Sequence, residues 1–117
     1  MFEFSSYKEL GDLVEGNGDV LTIRMEQLRD VHGAGKLGVH VRAGISDSLR
    51  QHGLGHYPPE LPNYQWDEVR IYRQGTPVGR LIEAVLSVSP SNDEVIRETA
   101  GSDANAALVK IRELVCT

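Results

Sequence analysis

The sequence predicts an α+β fold, a mainly helical single domain with a small two- or three-stranded sheet. Three observations predict it. Apolar residues recur at helical spacing in several windows, each short and bounded by Gly, Pro or a capping residue. Two stretches, 20–23 and 69–73, instead show β-branched residues or period-two alternation. Apolar content of 40% and charged content of 25%, interleaved along 117 residues, are enough for one core without a disulfide or metal.

In chain order, Ser6-Tyr7-Lys8-Glu9 has the form of a capping box. Tyr7, Leu10, Leu13 and Val14 then share one side, so a helix is expected over 6–15 with Gly16 closing it. Asn17-Gly18 marks a turn, and Val20-Leu21-Thr22-Ile23 makes one strand, although Thr22 is also a candidate cap for the next helix. Met25, Leu28 and Val31 share a helical face that should end near His32, where Gly33-Ala34-Gly35 permits positive φ. Beyond this turn Val41, Ile45 and Leu49 repeat every four residues, with Leu37 before and Leu54 after, and Gly53 stands at a natural C′ position. Gly44, inside this second helix, weakens it by about 1 kcal/mol relative to Ala and is where it would break.

Gly55 to Tyr64 contains three prolines, at 58, 59 and 62, and reads as an extended connector rather than a regular element. Glu68 to Arg73 alternates, with Val69 and Ile71 inward and Arg70 and Tyr72 outward. After the turn Gln74-Gly75-Thr76-Pro77, the residues Val78, Leu81, Ile82, Val85 and Leu86 favour a helix over 77–87, capped by Thr76 with Pro77 at N1. This helical reading displaces the alternative in which 69–85 forms a β-hairpin. Ser91-x-x-Glu94 offers a capping box for a short helix ending near Gly101. Ala104, Ala107, Leu108, Ile111, Leu114 and Val115 line a last helix, expected to dock on the domain's own core, with a homodimer through it as the alternative.

No apolar run approaches the roughly 20 residues needed to span a bilayer, and the first residues lack the basic-then-apolar order of a signal peptide. A cytoplasmic location, with no membrane partner, is expected. The single Cys116 has no internal partner for a disulfide.

Catalytic and metal readings fail on spacing. His52 and His56 stand four apart, but Gly53 and Gly55 lie between them and no HExxH glutamate is present. Gly33-Ala34-Gly35-Lys36-Leu37-Gly38 lacks the Ser or Thr that must follow the lysine of a phosphate loop. Asp67 and Glu68 are adjacent, so a strand points them to opposite faces. Ser46 and Ser48 lack a GxSxG elbow. No cofactor, metal or enzyme class is expected.

Net charge is −5, which disfavours indiscriminate polyanion binding. The charge is uneven: residues 24–80 hold eight Lys/Arg against six acids, and the flanks hold four against eleven. Within this mildly basic middle, 25–54 resembles the helix-turn-helix and winged-helix superfamily. Leu37-Gly38-Val39 is similar to the turn and entry, and Ile45, Leu49 and Leu54 to the buried positions of a recognition helix. The resemblance implies a regulatory module that contacts double-stranded DNA through Lys36, His40, Arg42, Ser46 and Arg50, with Arg70 and Arg73 touching the backbone. The expectation from another class is an adaptor or inhibitor that binds a protein through Tyr57, Tyr64, Trp66 and Tyr72, aromatic residues of the kind enriched at interface centres.

Overall fold

The structure, a computed structural model, describes residues 2–101. The chain divides into two compact units, Met1–Gly79 and Arg80–Thr117. The first is an α+β unit in which helices flank a three-stranded antiparallel sheet.

Helix α1 (Tyr7–Gly16) starts at Ser6, whose hydroxyl accepts from the Glu9 amide at 3.1 Å. The Glu9 carboxylate in turn accepts from the hydroxyl and amide of Ser5, both at 2.6 Å, which hold it below the usual carboxylate range. Gly16 remains helical, and the reversal falls on Gly18 and Asp19, both with positive φ. Strand β1 (Val20–Arg24) leads directly into α2 (Met25–His32). Thr22 therefore lies in the strand, and the Arg24 amide meets Gln27 Oε1 at 3.1 Å at the helix entrance. Gly33, at φ 75°, closes α2 where the sequence placed the turn.

Helix α3 (Val39–Gln51) runs unbroken through Gly44. An added Cβ there would stand 2.9 Å from His32 Nε2, so the missing side chain is the seat of an imidazole from α2. Leu54, which the resemblance set among the buried positions of a recognition helix, opens strand β2 (Leu54–Tyr57), and the supposed connector begins only after it. Strand β3 (Glu68–Arg73) is central in the order β1-β3-β2. Its register pairs Thr22 with Arg70 and Ile23 with Val69 on one side, and His56 with Ile71 and Tyr57 with Arg70 on the other.

Alternation sends Leu21, Ile23, Leu54, Val69 and Ile71 to one face of the sheet, where they meet Leu10, Val14, Leu28, Ile45 and Leu49. Each large side chain fully buried here contributes about 1.5–3 kcal/mol of transfer free energy. The opposite face carries Tyr72, whose ring covers Gly55: a Cβ at 55 would lie 2.4 Å from it.

Helix α4 (Pro77–Leu86) starts as the sequence indicates, with Thr76 Oγ1 accepting from the Gly79 amide at 3.0 Å and donating to the Arg73 carbonyl at 2.8 Å. A further helix occupies 90–101. Its cap is Ser89, which accepts from the Asn92 amide at 3.1 Å, and Pro90 takes the first helical position. The expected cap at Ser91 is displaced by two residues. The last expected helix, with Cys116 and the homodimer alternative it carries, lies outside the described residues. Among the described residues no helix is long and apolar enough to cross a membrane.

Candidate functional site

The face of α3 that the core leaves free is set by its periodicity. At 100° per residue, Val41, Ile45 and Leu49 point inward, and Val39, His40, Ala43, Asp47 and Arg50 gather on the opposite side, where all five are exposed. Val39 is 65% exposed. The N-cap is Gly38, with no side chain to satisfy the first amides and no acid in the first turn. The positive end of the helix dipole is thus left open beside the exposed Lys36 and His40.

Residues on the flanks of that face are committed to neighbours. Arg42 donates from Nε to the Leu37 carbonyl at 3.1 Å and from Nη1 to the Leu61 carbonyl at 3.0 Å. These bonds tie α3 to the preceding turn and to the β2–β3 connection. Ser46 Oγ is hydrogen-bonded to His56 Nε2 on β2. The other ring nitrogen, Nδ1, lies 2.8 Å from the Pro58 carbonyl, which can only accept. Nδ1 therefore holds the proton, and Nε2 of the neutral ring accepts the Ser46 hydroxyl. Burial pushes the His56 pKa down against the opposing pull of the Pro58 carbonyl, and the charge of Arg50 adds to the fall. Arg50 itself is exposed and pairs with Asp47 at 3.3 Å.

Val39, Ala43, Arg42 and Ser46 form one wall of a cleft of about 200 Å³, and Pro59, Glu60 and Leu61 of the connection form the other. The far end of the connection is fixed to α2. The Gln65 carbonyl accepts from the Glu26 amide at 2.9 Å, the Asp67 carbonyl from the Met25 amide at 3.0 Å, and Gln65 Oε1 from Arg29 Nη1 at 2.5 Å. Two of the helix's free N-terminal amides are satisfied in this way. A second cleft, of about 300 Å³, includes Arg29, Lys36, Asn63 and Tyr64 in its lining. Lys36 and Tyr64, assigned by sequence to different functions, thus share one surface.

The other expected site residues lie elsewhere. Arg70 projects from the outer face of the sheet, in register between Thr22 and Tyr57. Trp66 stands against the Arg24 guanidinium, 5.8 Å from the ring centroid. Tyr72 shares that outer face but is only 5% exposed, so it adds nothing to a docking surface. Arg73 turns toward α1 and the turn that follows it, 3.3 Å from Glu15 and 3.6 Å from Asp19. It is separate from the α3 surface.

Sequence reasoning weighed His56 only as a metal ligand and missed that it joins α3 to the sheet, and it left Val39, 65% exposed on the α3 face, out of the site. It also passed over a cluster behind α3. Tyr7 bonds His32 Nδ1 at 2.8 Å and stacks on His52 with centroids 5.6 Å apart, and His52 Nδ1 donates to the Ser48 carbonyl at 2.8 Å. Burial raises the Tyr7 pKa, opposed by the Ser48 hydroxyl. Histidines 52 and 56, four apart in sequence, are therefore engaged on different sides of the unit. The chain matches no protein-family model, and no curated protein or solved structure matches it.

Proposed function

We propose that the chain is a non-catalytic DNA-binding module of the winged-helix kind, in which α3 enters the major groove of a duplex and the β2–β3 hairpin forms the wing. One observation carries this reading: a helix, a glycine turn and a second helix with a solvent-facing side are followed directly by an antiparallel hairpin. A major groove about 12 Å wide admits such a helix. The hairpin alternative at 69–85, set aside in the sequence in favour of a helix over 77–87, does not form, since 77–86 is helical, and the hairpin that follows α3 is 54–73.

Roles divide by what each side chain already holds. Lys36, His40 and Arg50 face solvent and are the contacts to phosphate or base edges. Arg42 and Ser46, occupied by Leu37, Leu61 and His56, position α3 and the wing. Arg70 reaches backbone only where the duplex extends over the sheet. Arg73, paired with Glu15 and Asp19, contributes least.

Binding to a random duplex measured over a range of salt tests the reading. Lys36→Ala and Arg50→Ala should each flatten the log–log slope by about one. A wild-type slope of zero removes DNA as the ligand, since phosphate neutralisation must release counterions.

A second reading is favoured by Tyr57 and Trp66, 43% and 48% exposed, on the side of the sheet that carries Arg24 and Arg70. Such aromatic–arginine surfaces anchor protein partners. Trp66 is the sole tryptophan and distinguishes the two. Emission unchanged on saturation with DNA leaves this face to a protein, whereas a change assigns it to the duplex.

A further inference from the structure

We propose that Val39 and Ala43 are specificity-determining residues that read the C5-methyl groups of thymine, an inference that rests on the DNA-binding reading above. Arg42 and Ser46, two of the polar side chains suited to reading bases on α3, are spent on the protein itself. Arg42 gives two donors to backbone carbonyls and Ser46 is bonded to His56, while the exposed Arg50 stands in the last turn of the helix. What remains free on the N-terminal half of the helix, the part that faces base edges in a helix-turn-helix, is Val39, His40 and Ala43. Val39 and Ala43 lie one turn apart on the same side and line the cleft opposite Pro59 and Leu61.

An apolar spot at this position calls for an apolar group, and thymine alone among the bases presents a methyl in the major groove. Charge argues for a duplex over an apolar peptide as the occupant. Lys36 and the uncapped start of α3 give the spot a positive rim at the helix entrance, where a phosphate backbone passes. Glu60, on the far wall of the cleft, disfavours a phosphate on that side.

The test uses the full chain and a duplex selected by it from a random pool. Each thymine is replaced in turn by uracil, which removes only the methyl. One or two positions should weaken binding by about fourfold each, the effect of re-exposing one buried methyl. In Val39→Ser or Ala43→Ser the same replacement should have no effect, and both variants should keep the wild-type salt slope because each change is on an exposed side chain. Uracil tolerated at every position, with salt-dependent binding intact, overturns the inference and leaves the DNA reading standing. Absence of salt-dependent binding to any duplex overturns both.

Discussion

Gly44→Ala measures how tightly the two helices of the pair are fitted together. In an unconstrained helix this change stabilises by about 1 kcal/mol, through backbone entropy and shielding of the peptide. Here the new methyl would stand 2.9 Å from His32 Nε2 and 3.1 Å from its Cε1. Relief to an ordinary contact of about 3.5 Å requires the ring to retreat by roughly half an ångström. The ring is held by Tyr7, at 2.8 Å on its other nitrogen, and a shift of that size weakens a hydrogen bond that contributes about 1 kcal/mol. The gain and the loss should cancel, leaving Gly44→Ala within about 0.5 kcal/mol of neutral in the wild-type background. In a His32→Ala background the obstacle is gone, and the same change should stabilise by about 1 kcal/mol. Urea denaturation of the four chains gives the coupling, provided the slopes agree. If Gly44→Ala stabilises both backgrounds equally, to within about 0.3 kcal/mol, the imidazole does not need that space and the account of the α2–α3 fit is wrong.

Three further outcomes are expected. Leu49→Ala removes a fully buried side chain of α3 and should lower unfolding free energy by about 2–5 kcal/mol, read from the shift in urea midpoint. Gly55→Val places a branched side chain into the Tyr72 ring and should destabilise by about 1–3 kcal/mol, whereas Gly55→Val combined with Tyr72→Ala should lose less than the two single changes added together. His56, with its folded-state pKa below the ordinary 6.5, takes up a proton in the unfolded chain first. Its contribution is therefore complete above that value and is lost as pH falls toward the lower folded-state pKa. His56→Gln should flatten the stability profile in this window, and an unchanged slope would contradict the burial of the neutral ring.

Where a local signal decides structure, the sequence could be read. Ser6 and Glu9 start α1, Gly33 ends α2, and Thr76 with Pro77 starts α4, because each acts on amides or dihedrals within one turn of itself. Strand β2 was hidden because Leu54, five residues after Leu49, stands close enough to the apolar stripe of Val41, Ile45 and Leu49 to be read with the helix. It is also short, contains a glycine, and gains its identity only by pairing with β3, whose partner residues lie at 70–73. Ser89 and Ser91 are chemically equal as caps, and Pro90 between them is the feature that selects the first. The free face of α3 followed from periodicity alone. The commitments of Arg42 and Ser46 did not, since their partners stand 19 and 10 residues away and meet them only once the hairpin has folded over the helix.

The β2–β3 connection is fastened at both ends, to α3 through Leu61 and to α2 through Gln65 and Asp67. On the DNA-binding reading proposed above, a duplex reaching α3 would meet a rim already fastened in place, with little chain entropy left to surrender on association. Calorimetry should then show a heat-capacity change explained by buried surface alone, without the excess that marks folding on contact. The same two anchors confine slack to Pro62 and Asn63, which makes that dipeptide the place where added residues should be accepted without loosening either helix.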